Sequence, residues 1–221
     1  IIDQNEFRSP TLNKDLDQQL SNKDKSIILP LGEVRLTRKI SSLLIIFRTN
    51  SNVEIWDQNK KRIFEKKKIE YVKRSLNSLI KTIKNLRENY HSIKIEIKIV
   101  DDNSTEENLT AIKDILAKSK ENFEIINHKN EEHLNIIKKQ KSKDTFSNLS
   151  SLLKCFEIGK KYGDDLIYFI EDDYLHFQFA LEEMIGTYER IGSQLNKELI
   201  ICPSDYPYLY MNNEKTNLLI G

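Results

Sequence analysis

Asp165-Leu-Ile-Tyr-Phe-Ile-Glu-Asp-Asp-Tyr174 is the stretch whose reading decides the fold. Leu166 to Ile170 is a short apolar and aromatic run, the pattern of a strand buried on both faces. Glu171, Asp172 and Asp173 follow at once. A buried strand that ends in clustered acids sets them at the carboxyl edge of a sheet, where open α/β sheets bind ligands. Three adjacent anions repel one another, and a divalent cation with oxygen ligands offsets that most directly. A solvated acidic turn, or a helix N-terminus that favours negative charge, would use the same residues. What stands at the other strand ends decides between these readings.

Upstream, Leu43 to Phe47 forms the first clear apolar run, with Arg48, Thr49 and Asn50 at its carboxyl end. Ile93, Ile95, Ile97 and Ile99 alternate with Lys94, Glu96 and Lys98, which is strand periodicity, and Val100-Asp101-Asp102-Asn103-Ser104 ends that run. Phe123 to Ile126 is a further short strand, and Leu199 to Cys202 a last one. Between them lie helical patterns. Ile69, Val72, Leu76, Leu79, Ile80 and Ile83 recur at three- and four-residue steps, and their stripe leaves the run Lys66, Lys67 and Lys68 as expected solvated surface. Ser104 with Glu107 has the form of a capping box opening a helix that carries Leu109, Ile112, Ile115 and Leu116. Leu149, Leu152, Leu153, Phe156 and Ile158 describe a third helix ending near Gly159 or Gly163, and Phe177 to Ile191 a fourth. Strands alternating with helix-sized connections imply right-handed crossovers and a mostly parallel sheet flanked by helices, an α/β fold. Residues 1–40 read as an N-terminal extension and 41–221 as one α/β domain. Two polar connections are long, Ser51 to Lys68 (with the only tryptophan, Trp56) and residues 128–146.

Composition narrows the function. Lys and Arg number 35 against 34 Asp and Glu, a balance that speaks against a nucleic-acid partner. No apolar run approaches the ~20 residues of a membrane span, so no transmembrane segment is expected. Cys155 and Cys202 lack metal spacing and read as buried thiols of a reducing compartment. Glycosylation sequons fall at Asn103, Asn108 and Asn148. A glycan on Asn103 would block the acidic edge, which favours a cytoplasmic protein.

Two strands thus end in adjacent acids, Asp101 and Asp102 after one and Glu171 to Asp173 after the other. In a parallel sheet both sets emerge on the same edge and can serve one ligand. The first pair suits ribose hydroxyls or a base N–H, since carboxylates accept hydrogen bonds from both. The second suits a divalent cation bridging two phosphates. Arg48 and Thr49 can join from a third strand end. Asp-Asp-Asn-Ser is also a good turn and helix cap. The six glycines form neither Gly-x-Gly-x-x-Gly nor a P-loop, which makes metal-assisted phosphate binding the more plausible mode. The four histidines, His91, His128, His133 and His176, have no zinc spacing, and His176 near the acids is either a site residue or a solvated one.

Asp101-Asp102-Asn103-Ser104 after one strand and Glu171-Asp172-Asp173 after a later one, in that order, resemble the GT-A nucleotide-sugar-dependent glycosyltransferases, particularly the family 2-like inverting enzymes. The resemblance covers about residues 41 to 210. It implies a GT-A, Rossmann-like domain, with Glu171-Asp172-Asp173 standing where the family carries Asp-x-Asp. Glu in place of the first Asp is a departure from that pattern. By the resemblance Asp173 would ligate Mn²⁺ or Mg²⁺, and Glu171 and Asp172 would lie near the ribose and diphosphate. Asp101 or Asp102 would contact the nucleoside, and Arg48 and Thr49 would line the base pocket. The donor would be a nucleotide-diphosphate sugar, and the acceptor a glycan, lipid or protein hydroxyl. The family's base lies well downstream of the acidic motif. Asp205, among Tyr206, Tyr208 and Tyr210, is the candidate within the chain, and the other expectation is a base past Gly221.

Two other readings compete. A sugar-phosphate nucleotidyltransferase of related fold should carry a glycine-rich signature near its first strand, and Arg48-Thr49-Asn50-Ser51 has no glycine. A non-catalytic receiver-like module needs a Lys after its last strand, where Pro203 and Ser204 stand.

Overall fold

The computed structural model describes residues 35–52, 66–137 and 143–203. The chain divides into two compact units, Ile40–Glu182 and Ile1–Lys39 with Glu183–Gly221. Among the described residues the first unit holds four strands, β1 (Ser42–Thr49), β2 (Lys94–Asp101), β3 (Asn122–Asn127) and β4 (Leu166–Glu171). They form one all-parallel sheet in the order β3-β2-β1-β4. Three helices follow the first three strands: α1 (Lys68–Asn89), α2 (Glu106–Leu116) and α3 (Lys143–Tyr162). A fourth, α4 (Ala180–Leu195), follows β4. The protein is therefore α/β, with a parallel sheet flanked by helices. After β3 the chain returns past β1 to pair β4 with it, so the direction of winding reverses between β1 and β4. That switch point is where open α/β sheets leave a crevice for ligands.

The alternation of side chains assigns the two faces. Leu44 and Ile46 of β1 pack with Val100, Cys155 and Ile158, with Ile126 and Ile167 against them. This is the face that α3 covers. Gly159 permits the close approach, since a Cβ there would meet Phe169 and Ile167 at 3.1 and 3.4 Å. Gly163 is more constrained: a Cβ would come within 2.6 Å of Ile167 Cδ1 and 2.7 Å of the Gly159 carbonyl. The opposite face carries Ile45, Phe47, Ile97 and Ile99, none of them exposed. The stripe of α1, with Val72, Leu76, Leu79, Ile83 and Leu86, is equally buried. Each such side chain contributes about 1.5–3 kcal/mol by leaving water.

Several expectations need correction. Strand β4 is not buried on both faces. It is the edge strand of the described sheet, only Ile170 is fully buried, and Phe169 is 41% exposed. An edge position leaves one side of the strand without a neighbour. Leu199 to Cys202 is not a strand. The Leu199 N–H donates to the Tyr188 hydroxyl (3.2 Å), and Glu198 just before it is held by Arg38, so this backbone is tied to side chains and not to a ladder. Helix α2 is capped by Thr105, whose hydroxyl accepts from the Asn108 N–H, and not by Ser104. The connection after β3 is shorter than expected because α3 begins at Lys143. Cys155 is buried, which holds its thiol up at about 12, but Cys202 is exposed.

Candidate site at the carboxyl edge of the sheet

The register of the sheet brings the expected residues together. Thr49 pairs with Asp101, and Arg48 with Glu171. Alternation then divides them: Arg48 and Glu171 lie on the α3 face, Thr49 and Asp101 on the α1 face.

On the α3 face Arg48 forms an ion pair with Glu171. It also donates to the Asn148 carbonyl (2.9 Å), the Asn148 side-chain oxygen and Ser151 Oγ (3.3 Å). Asn148 and Ser151 stand in the first half of α3. Its residue Ser147 donates to Asp102, and Asn50 approaches the same Asp102 oxygen at 3.5 Å.

On the α1 face Asp172 is buried and fully engaged. Its Oδ2 accepts from the Thr49 hydroxyl (2.9 Å) and the Asn50 N–H (3.2 Å). Its Oδ1 lies 2.6 Å from the Lys68 ammonium, which is also 4.0 Å from Asp173. Lys68 is the first residue of α1 and its side chain is only 13% exposed. The expectation that the whole lysine run is solvated surface fails here, because the helix starts close enough to β4 for this lysine to meet a buried carboxylate. Asp173 itself is exposed.

Asp101 is held differently. Asn103 takes a left-handed conformation (φ 67°), which turns the chain so that the Ser104 N–H reaches Asp101 Oδ2 at 3.0 Å. A run of donors leads to the same place. Asn108 donates to Ser51 Oγ (2.9 Å), and the Ser51 N–H (3.0 Å) and hydroxyl (2.7 Å) reach Ser104 Oγ. Asp101 Oδ1 has no partner among the described residues. Burial holds the Asp101 carboxyl above the usual range, against the pull of Ser104, and Asp102 and Asp172 add to the rise.

Beneath this edge His128 donates its N–H to the Asp101 carbonyl (2.7 Å). Its Nε2 meets the buried Ser150 hydroxyl (2.9 Å), which His133 Nδ1 meets from the other side (2.8 Å). Burial pushes the His128 ring below its ordinary value. His176 is neither in the acidic cluster nor solvated. Its ring lies between Tyr168 Oη (3.0 Å) and Ser78 Oγ (3.3 Å), and burial pushes it down to about 4.

Asp205 and its tyrosines lie outside the described residues. Among those described, no three His, Cys, Asp or Glu side chains gather closely enough to hold a metal ion by themselves. Asp172 already has a cation in Lys68, which leaves exposed Asp173 as the acid open to an ion. A single carboxylate suits Mg²⁺ or Mn²⁺ only when phosphate oxygens and water complete the shell, so a metal would fit here together with a diphosphate.

The sequence motifs assign no site role to Lys68, Asn50, Ser147, Asn148 or Ser151. Ser147 and Ser151, four residues apart on a helix, carry a readable signal, a polar patch at the start of α3. Lys68 carries none, because its neighbours Lys66 and Lys67 are exposed. No protein-family model and no curated protein sequence matches the chain. Among the described residues no helix is long and apolar enough to cross a membrane.

Proposed function

We propose that the chain is a glycosyltransferase domain that takes a sugar from a nucleotide-diphosphate donor to an acceptor hydroxyl, with inversion, on a GT-A scaffold. One observation carries this reading: two acidic strand ends, Asp101-Asp102 and Glu171-Asp172-Asp173, flank β1 at the switch point of a parallel sheet. The order β3-β2-β1-β4 also differs from the 2-1-3-4-5 order of receiver-like modules, which favours the transferase over that alternative.

In this reading Asp101 and Asp102 receive hydrogen bonds from the nucleoside. Arg48 and Thr49 fix the acids of β4 and border the base pocket. Asp173 would hold Mn²⁺ or Mg²⁺ against the diphosphate, and such an ion supplies charge compensation for the leaving group. Asp205 remains the candidate base for the acceptor proton. A cytoplasmic setting goes with this reading, since the sequon residues Asn108 and Asn148 are committed to hydrogen bonds around the site.

The test is thermal stability with UDP, GDP, dTDP and CDP, each with and without Mn²⁺. Ligand at a hundred times its dissociation constant adds ~2.7 kcal/mol, roughly 5–10 °C for a chain of this size. A metal-dependent rise with one nucleotide, lost in Asp173→Ala, is the expected result. No shift with any of the four in a folded protein would sink the proposal.

A further inference from the structure

We infer that Lys68 is a diphosphate-binding residue, held at the switch point by Asp172 and turned to the donor's phosphates when they arrive. The inference rests on the proposed function above and extends it to a residue that neither motif contains.

The geometry has three parts. First, Lys68 is the nearest cation to Asp172 and Asp173 among the described residues, at 2.6 and 4.0 Å. An ammonium has three donors, and only the contact with Asp172 is within hydrogen-bonding range, so Lys68 can keep Asp172 and still meet a phosphate oxygen. Second, Asp172 does not depend on Lys68 alone. Thr49 and Asn50 satisfy its other oxygen, and that oxygen stays paired if the ammonium moves. Third, an anionic donor beside Glu171, Asp172 and Asp173 meets repulsion, which the edge must offset. Arg48 is already occupied by Glu171, Asn148 and Ser151 on the α3 face. Lys68 stands on the other face, at the start of α1. Lys67, at the N-cap, makes no side-chain cap bond, so the positive end of the helix adds to the same field. The side chain is flexible and its charge compact, which suits an ammonium that bridges a carboxylate and a phosphate.

The measurement is calorimetric binding of UDP, GDP, dTDP and CDP and of UMP, GMP, dTMP and CMP to the full chain, in EDTA and in Mn²⁺. In Mn²⁺, and more weakly in EDTA, the wild type should prefer the diphosphate of its nucleotide to the monophosphate. Lys68→Gln should cut that preference by about tenfold or more, as expected for one charge-assisted hydrogen bond, and leave monophosphate affinity unchanged. Lys68→Arg should keep most of it. Lys68→Gln leaves a buried carboxylate without its cation, so the loss is measured a second time in a neutralised background, as Asp172→Asn with Lys68→Gln against Asp172→Asn alone, a comparison that cancels any part Asp172 itself plays. If the wild type shows no preference, if the preference survives removal of Lys68 in that comparison, or if both nucleotides weaken together, Lys68 is structural and the inference falls while the transferase reading stands. If the wild type binds none of the eight nucleotides in either buffer, the transferase reading falls and this inference falls with it.

Discussion

The acids at the end of β2 and those at the end of β4 share one edge but are held in opposite ways. Asp101 and Asp102 meet neutral donors: a Ser104 N–H, a Ser147 hydroxyl and an Asn50 amide. Glu171 and Asp172 meet cations, Arg48 and Lys68. Neutral donors orient a carboxylate without cancelling its charge, so burial raises the Asp101 carboxyl, and one of its oxygens has no partner among the described residues. Cations offset the charge of the acids that they hold. The difference teaches that one edge can carry acids in two electrostatic states: the β2 end keeps its carboxylate charge among neutral donors, and the β4 end offsets it with cations.

The largest break in this comparison is Asp172→Ala. It strands the Lys68 ammonium in a site where the side chain is 13% exposed. Loss of one partner of a buried pair costs about 3–5 kcal/mol, and Asp173 at 4.0 Å keeps the loss near the lower end. Urea denaturation should show a lower midpoint with an unchanged slope; a midpoint within error of wild type would mean that the pair contributes nothing.

Behind β4 the same contrast can be sharpened by pH. His176 faces the neutral partners Tyr168 and Ser78, and burial pushes it down to about 4 from an ordinary 6.5. Above pH 6.5 the ring is neutral in both the folded and unfolded states, and it has no effect on stability. Below that the unfolded chain takes up a proton that the folded chain refuses. Stability therefore falls between pH 6.5 and about 4, by up to ~3 kcal/mol. His176→Gln should flatten that segment of the stability–pH curve, and an unchanged slope would show that the ring charges freely in the fold.

Asp101→Asn gives the smallest change and the opposite sign. The amide keeps an acceptor for the Ser104 N–H and removes a buried charge repelled by Asp102 and Asp172. The variant should be more stable by about 1 kcal/mol, within the usual gain from relieving a strained functional group. It should also bind nucleotide more weakly. Differential scanning calorimetry reads the first effect, and equal or lower stability would show that Asp101 is not under strain.

The sheet was legible because its strands differ in kind from its helices. Ile95, Ile97 and Ile99 alternate at period two, and Val72, Leu76 and Leu79 recur along a helical stripe, so their periods name the elements. Leu199 to Cys202 misled because four apolar residues fit a strand equally well without a neighbour to pair with, and the hydrogen bonds to Tyr188 and Glu198's hold by Arg38 are long-range facts. The acids of the edge could be read because strand ends follow from strand starts. Their partners could not. Lys68 meets Asp172 across more than a hundred residues, and nothing local separates it from Lys66 and Lys67. Ser147 and Asn148 fall between the expected connection, residues 128–146, and the apolar run that opens at Leu149, so their place in a helix shows only once α3 is seen to begin before them, at Lys143.

The parallel pairing of β1 has a kinetic consequence. Thr49 and Asn50 contact Asp172 across 123 and 122 residues of chain. Pairing β1 with β4 closes one of the longest loops in the described sheet, and closing long loops slows folding. The edge between β1 and β4 is therefore complete only after the sheet's most distant pairing is made. Any ligand bound across these two strand ends would recognise the finished sheet alone, and would slow the separation of β4 from β1.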